Sequence, residues 1–355
     1  MDKSDDDKFM RRCLDLASCA EGMTYPNPMV GSVIVHGGEI IGEGYHLRAG
    51  LPHAEVNAIN SVRDISKLIN STLYVNLEPC SHHGKTPPCA DLIIKTGIPR
   101  VVIGATDTSA KVNGMGIKKL EEAGVEVITG VQEKESRWLN RRFFTFNEQS
   151  RPWIVLKWAQ SADCFIDIFR PATGIPEPNW ISGKSERILV HRWRSVEQSI
   201  LAGAGTIRMD DPKLNVREWA GNNPLRLILS SSGIIKRSSA GQTKEVIFTH
   251  NTSLKNSGDS EIVLLDKDKP SCIQVAEFLY NIGIQSLIVE GGAVVLNHFI
   301  DYGLWDEARV FTGYKNFSNG VKAPLLPGTF AGEQRFGTSK LQYHLNEKVT
   351  DAYFK

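Results

Sequence analysis

The sequence predicts an α/β protein built from two tandem domains, residues 1–148 and 149–355. Three observations lead there. The chain has 355 residues, enough for two domains of ordinary size. Apolar β-type runs alternate with stretches of helical period, which argues for layered α/β packing. The pattern then restarts at Arg151-Pro152, after a charged and then aromatic stretch over 131–148 that reads as a helix and a connector packing between the halves.

Bulk properties narrow the function classes. The net charge is +1 with both signs mixed along the chain, and the acidic run Asp5-Asp6-Asp7 is the main exception. A nucleic-acid-binding stripe is therefore not expected. No apolar run approaches membrane-spanning length, and the charged start lacks a signal core. The six cysteines, at 13, 19, 80, 89, 164 and 272, follow no disulfide-framework spacing. Reduced thiols and a cytoplasmic location follow as expectations.

In the first half, Phe9, Cys13, Leu16, Ala17 and Ala20 share one face of a helix over 8–21, with the acidic run at its positive end. Tyr25-Pro26-Asn27-Pro28 is a rigid loop that fixes one Asn. Strands follow at 30–35 and 39–45, turned by Gly37-Gly38 and closed by His46. Pro52 then leads a helix that begins at His53. A strand over 72–77 ends just before Cys80, and Pro87-Pro88 opens a helix with Cys89 at its start. There the helix dipole favours a thiolate. Strands at 101–104 and 125–129 flank a helix over 117–123. The result is a three-layer α/β/α domain with its helix starts gathered at one end of the sheet.

The chemistry lies between His53 and Cys89. His53, Cys80 and Cys89 supply three zinc ligands and leave the fourth position open, as catalytic rather than structural zinc requires. Glu55 is not needed as a ligand and is free to move protons. This is the constellation of nucleoside and nucleotide deaminases, in which activated water attacks a ring carbon bearing an amino group.

Pro-Asn-Pro at 26–28, Gly44-Tyr45-His46, His53-Ala54-Glu55-Val56 and the run Glu78-Pro79-Cys80-Ser81-His82-His83-Gly84-Lys85-Thr86-Pro87-Pro88-Cys89 resemble the bifunctional riboflavin-biosynthesis deaminase/reductase family. The eight residues between Cys80 and Cys89 are that family's form. The resemblance implies a cytidine-deaminase-like domain, zinc on His53, Cys80 and Cys89, Glu55 as proton shuttle, and Asn27, His46, Lys85 and Asp107 on the substrate. That substrate is a phosphorylated ribosylaminopyrimidine, whose phosphate suits the Lys85 cation. After Asp107 the chain departs from the family's Pro-Asn-Pro and carries Thr108-Ser109-Ala110.

In the second half, Trp153 to Trp158 reads as a strand with Lys157 near its end, and residues 167–179 as a proline-rich loop. Ser185 is the expected cap of a helix running to Ser195. A strand at 200–202 enters a glycine-rich turn, Gly203-Ala204-Gly205-Thr206. Strands at 225–229, 246–248 and 262–264 follow, then a helix capped by Ser271. A strand at 287–289 runs through Glu290-Gly291-Gly292 into a helix over 293–300. Both glycine stretches can let a phosphate approach the backbone.

This half also resembles the riboflavin family, in Leu156-Lys157, Ser161-Ala162-Asp163, Trp180-Ile181-Ser182-Gly183, Arg194, Gly203-Ala204-Gly205-Thr206, Asp210-Asp211-Pro212 and Glu290-Gly291-Gly292. The resemblance implies a dihydrofolate-reductase-like α/β domain that uses NADPH. It places Ala159, Trp180, Thr206, Asp210, Ser230, Gly291 and Gly292 on the cofactor, and Lys157, Arg194, Leu214, Arg217 and Glu290 on the substrate. Guanidinium forks at Arg194 and Arg217 suit phosphate. The family is often oligomeric, so a homo-oligomer is an expectation. Three departures stand in this half: Cys164 replaces a usual Gly, Pro178 replaces a usual Ser, and the loop before Trp180 is long. They leave one alternative, a deaminase fused to a catalytically inactive reductase-like binding module.

Overall fold

In the computed structural model, the structure describes residues 3–82, 87–109, 112–170, 178–233, 244–258, 260–337 and 339–353. The chain divides into two units, Met1–Ser150 and Arg151–Lys355.

The first unit runs α1 (Lys3–Ser18), β1 (Gly31–His36), β2 (Glu39–Tyr45), α2 (Ala54–Ser61), β3 (Thr72–Leu77), α3 (Cys89–Thr96), β4 (Arg100–Ala105), α4 (Met115–Glu122), β5 (Glu126–Thr129), α5 (Glu133–Leu139) and α6 (Arg141–Gln149). Its sheet has the order β2-β1-β3-β4-β5, antiparallel at β2 and β1 and parallel from β3 to β5. Alternation along the strands creates the three layers. Ile34, Leu73, Val75, Val101 and Ile103 pack toward α2, α3 and α4. Val33, Val35, Tyr74 and Val102 point the other way, onto Phe9, Met10 and Cys13 of α1. The stretch over 131–148 is not a helix and a connector but two helices. Phe143 and Phe144 of α6 pack on Leu77 and Ala105 of this unit's own sheet. Helix α1 begins earlier than expected, with Asp5 and Asp6 in its first turn.

The second unit runs β6 (Trp153–Gln160), β7 (Phe165–Asp167), α7 (Lys184–Val196), β8 (Ser199–Gly203), α8 (Ala204–Asp210), β9 (Leu225–Leu229), β10 (Glu245–Thr249), β11 (Ser260–Leu264), α9 (Ser271–Asn281), β12 (Ser286–Val289), α10 (Ala293–Asp301), β13 (Glu307–Gly313), β14 (Val321–Lys322), β15 (Thr329–Arg335), β16 (Ser339–Leu345) and α11 (Glu347–Tyr353). Among the described residues, its main sheet has the order β11-β10-β9-β8-β12-β6-β13-β16-β15. The strands from β11 to β13 are parallel, and β16 and β15 close the sheet antiparallel. One face buries Ile154, Leu156, Leu201, Leu227 and Leu287 against Val275 and Leu279 of α9 and Leu296 and Phe299 of α10.

Several expectations are corrected. Helix α7 is capped by Gly183, not Ser185, and α9 by Pro270, not Ser271. Gly203-Ala204-Gly205-Thr206 is not a free turn: Gly203 caps α8 and the next three residues are its first turn. The short strand β7 precedes the expected loop and overlaps it only at Asp167. The strands after Ile300 had no counterpart in the sequence reading. Among the described residues, no helix is long and apolar enough to cross a membrane.

Candidate functional site

Helix α2 sits directly on β2 because that strand offers glycines. A Cβ on Gly44 would meet Asn57 Cβ at 2.5 Å, and one on Gly42 would meet the Ala58 carbonyl at 2.6 Å. The close approach brings the start of α2 to the end of the sheet where β3 delivers Cys80. His53 is the N-cap of α2 and makes no side-chain capping bond, so its ring is available to other partners. Its Nδ1 lies 3.5 Å from Cys80 Sγ and 3.4 Å from Cys89 Sγ. The Cys89 backbone N–H at the start of α3 points at Cys80 Sγ, 3.4 Å away.

These three donor atoms lie within 4.8 Å of one another. A tetrahedral zinc at ordinary bond lengths separates a nitrogen from a sulfur ligand by about 3.6 Å. The observed edges fit that ion. The two thiols are coupled: the hydrogen bond from Cys89 pulls Cys80 down, while Cys80 and burial push Cys89 up, so Cys80 is the thiolate of the pair. Glu55 is 3% exposed. Burial pushes its carboxyl up to about 7, and the Cys80 thiolate adds to the rise. A cation on the thiolates would draw it back down.

Around this centre, Asn27 Nδ2 lies 3.0 Å from His46 Nε2, and His46 Nδ1 lies 3.1 Å from the Pro52 carbonyl. The carbonyl can only accept, so Nδ1 carries the proton and Nε2 accepts from Asn27. Burial lowers the His46 pKa and keeps the ring neutral. The His46 and His53 rings meet edge to face at 5.4 Å. Asp107 is buried and accepts the Ser109 N–H at 2.7 Å, so the departing Thr-Ser sequence still closes a turn on that carboxylate. Lys85 lies outside the described residues, as does Ala110.

Glu78, quoted in the motif but given no role there, is a buried carboxylate that accepts backbone N–H groups from Asp107, Gly114, Gly116 and Ile117 at 3.2, 3.1, 2.8 and 3.2 Å. It therefore fixes the Asp107 loop and the start of α4 to the strand end that carries Cys80. No sequence spacing announces a contact made to backbone amides thirty or so residues away.

In the second unit, a cleft of about 1020 Å³ is lined by Lys157, Ala159, Trp180, Arg194, Thr206, Asp210, Leu214, Ser230, Glu290, Gly291 and Gly292. A side pocket of about 250 Å³ adds Arg217 beside Arg194, Leu214 and Trp180. Gly291 is required by packing, since a Cβ there would meet Val295 Cβ at 2.8 Å. The volume suits a dinucleotide with room for a second molecule.

One ion cluster dominates the cleft floor. Arg194 grips Glu290 with two bonds, Nε to Oε1 at 2.7 Å and Nη2 to Oε2 at 2.8 Å, while Lys157 Nζ stands 3.5 Å from Oε2. Burial pushes the Glu290 carboxyl up, but Arg194 and Lys157 together pull it further down, to about 2. Burial and the Arg194 charge lower the Lys157 ammonium, opposed by Glu290. The fork of Arg194 is thus engaged by a carboxylate. Arg217 is exposed, and its backbone N–H donates to His191 Nδ1 at 3.1 Å. Leu214 is buried with φ of 51°, a strained conformation for a branched residue.

Arg170 bridges Asp167 and Asp210, with 2.7 Å to the latter, and Arg187 lies 4.7 Å over the Trp180 ring. Arg170, His191 and Glu78 escaped sequence reading because each meets at least one partner brought to it only by folding: Asp210, Arg217 and the amides of Asp107 to Ile117. Pro178 lines both cavities. Cys164 has φ of 64°, the left-handed conformation that favours the glycine usual at that position.

A family model described as the cytidine and deoxycytidylate deaminase zinc-binding region matches residues 3–105, and one described as the RibD C-terminal domain matches residues 152–319. Fold and site together define a two-activity enzyme, a deaminase followed by a reductase. The chain is 37% identical over 323 residues to the riboflavin biosynthesis protein RibD of Aquifex aeolicus, covering 89% of each. It is 34% identical to the Escherichia coli protein of that name, covering 91% of this chain and 92% of that one. A solved diaminohydroxyphosphoribosylaminopyrimidine deaminase/5-amino-6-(5-phosphoribosylamino)uracil reductase from Thermotoga maritima superposes with a TM-score of 0.86 at 35% identity, over 97% of this chain and 99% of that one. The chain belongs to the RibD family of riboflavin biosynthesis, with a cytidine-deaminase-like first unit and a dihydrofolate-reductase-like second unit.

Proposed function

We propose that the first unit deaminates diaminohydroxyphosphoribosylaminopyrimidine and that the second reduces the resulting 5-amino-6-(5-phosphoribosylamino)uracil, the two compounds in the name of the Thermotoga relative. The observation that carries this reading is the three-donor cluster of His53, Cys80 and Cys89 with Glu55 buried beside it. His53, Cys80 and Cys89 would hold zinc, which when bound supplies the Lewis acidity that makes water a nucleophile near neutral pH. Glu55 takes a proton from water on its carboxylate and returns one to the departing ammonia. Asn27, the neutral His46 and Asp107 orient the pyrimidine, and Lys85 is assigned the phosphate by resemblance alone.

In the second unit, Ala159, Trp180, Thr206, Asp210, Ser230, Gly291 and Gly292 would hold NADPH, which when bound supplies hydride for C1′ of the ribose. Lys157 and Glu290 face the reacting sugar at the cleft floor. Arg194 fixes Glu290, Leu214 packs the substrate, and Arg217, exposed in the side pocket, is the better placed of the two guanidiniums for phosphate. A cytoplasmic homo-oligomer completes the reading.

The test is a coupled assay on purified full-length protein given the diaminopyrimidine phosphate, following ammonia and NADPH absorbance together. Wild type should release ammonia and consume NADPH. Glu55→Ala should do neither, yet should consume NADPH when supplied with the deaminated compound. If wild type releases ammonia but never oxidises NADPH on the deaminated compound, the reductase assignment is wrong.

A further inference from the structure

Two residues beyond Asn27, one distant side chain grips both the N–H and the carbonyl of Met29. Asn140 Oδ1 accepts the Met29 N–H at 2.8 Å, and Asn140 Nδ2 donates to the Met29 carbonyl at 2.9 Å. Asn76 of β3 adds a donor to the same carbonyl at 3.1 Å and accepts the Gly31 N–H at 2.7 Å. Asn140 is 3% exposed and Asn76 fully buried. Both amides are therefore committed to this backbone, with little water to replace a lost bond.

The run from Met29 to Gly31 also carries the other half of the pocket wall. The Val30 carbonyl accepts the His46 backbone N–H at 2.8 Å. Holding Met29 thus sets Asn27 on one side and His46 on the other, and these two share the 3.0 Å bond beside His53. Asn140 itself cannot drift. It is the joint between α5 and α6: its N–H binds the Ser136 carbonyl, its carbonyl takes the Phe144 N–H, and Phe144 is packed in the core. Asn140 lies well outside residues 3–105, the extent of the matched zinc-binding region.

We propose that Asn140 is a positioning residue of the deaminase site: it fixes the Met29 backbone so that Asn27 and His46 face the pyrimidine, and it makes the α5–α6 joint part of the working deaminase. The proposal rests on the reading that Asn27 meets substrate. The zinc ligands come from the starts of α2 and α3 and the end of β3, none of which Asn140 touches through its side chain. Metal retention and substrate positioning should therefore separate. A displacement of about 1 Å in a positioning group can cost on the order of a hundred-fold in rate.

The test uses the full-length zinc-loaded protein and the variants Asn140→Ala, Asn27→Ala and the double variant. Ammonia release, zinc per chain, melting temperature and NADPH oxidation on supplied deaminated compound are measured on each. Asn140→Ala should lower kcat/KM for ammonia release by about ten- to a hundred-fold, with zinc and NADPH oxidation unchanged. The double variant should lose less than the product of the two single losses, because Asn140 acts in part through Asn27 and for the rest through His46. If Asn27→Ala is impaired but Asn140→Ala stays within about twofold of wild type, or if the two losses multiply, the proposal is overturned. If Asn27→Ala releases ammonia at the full rate, the reading of Asn27 fails and takes the proposal with it. Should Asn140→Ala not fold, Asn140→Asp keeps the acceptor for the Met29 N–H while replacing its donor, and carries the same cycle.

Discussion

Glu290→Gln removes one charge and little volume, and its cost can be worked from two directions. Structurally, the neutral amide would leave the Arg194 fork and the Lys157 ammonium without an anion, and their side chains are only 10% and 16% exposed. Breaking a buried pair in this way costs about 3–5 kcal/mol. From titration, a carboxyl that ionises near 2 when folded and at its ordinary 4.5 when unfolded is worth about 3 kcal/mol. The sign is fixed by the depressed value: the contribution is complete above about pH 4.5 and is lost as pH falls toward 2, with about 1 kcal/mol gone by pH 4. Urea unfolding followed by tryptophan fluorescence reports mainly on the second unit, which holds six of the seven tryptophans. The variant should be about 3–5 kcal/mol less stable at pH 7, and the gap should narrow by about 1 kcal/mol at pH 4. A gap below about 1 kcal/mol at pH 7, or one that does not change with pH, would refute the ion-cluster argument.

Other substitutions test separate parts of the molecule. Cys80→Ser or Cys89→Ser should abolish zinc retention, read by metal analysis, and ammonia release with it, while NADPH oxidation on the deaminated compound continues; retained zinc would exclude the three-ligand site. Glu78→Ala should free the Asp107 loop and reduce deaminase kcat/KM at least about tenfold with zinc still bound, and an unchanged KM and kcat would show that the four amide contacts are dispensable. Cys164→Gly relieves a left-handed residue and should raise the melting temperature by about 2–4 °C; a lower melting temperature would mean that φ is not strained there.

Where the sequence spoke clearly, the cause was local. The strand at 72–77 was legible because its alternating faces end at Glu78-Pro79, and 225–229 because an apolar run is bounded by polar turns. The three-donor cluster of His53, Cys80 and Cys89 was legible because spacing and residue type together leave little else for them to do. Helix starts were misread where a side chain could cap but does not. Ser185 lies inside α7, and the cap is a glycine. Strand β15 was invisible because its side chains are nearly all exposed at a sheet edge, with no apolar period to read. Glu78, Arg170 and His191 were hidden for a different reason: each acts on backbone or charge brought to it by folding. Cys164 shows the middle case, since the residue type raised the question of a left-handed backbone and the fold answered it.

Both units place their candidate site residues by the same rule. Cys80 follows β3, Lys157 lies in the second half of β6, Ser230 follows β9 and Glu290 follows β12. In each case a buried strand carries a polar group to its carboxyl end, where parallel sheets open toward helix starts and ligands bind. The amino ends do structural work instead. Ser286 begins β12, is fully buried, and its hydroxyl accepts the Gln198 N–H at 2.9 Å. Removing that acceptor with Ser286→Ala leaves a partly buried N–H unsatisfied and should cost about 1–2 kcal/mol in urea unfolding. The variant should keep its KM for NADPH and for substrate, because among the described residues none at that end of the strand lines the cleft. A change in either KM without loss of stability would contradict this division between the two ends of the sheet.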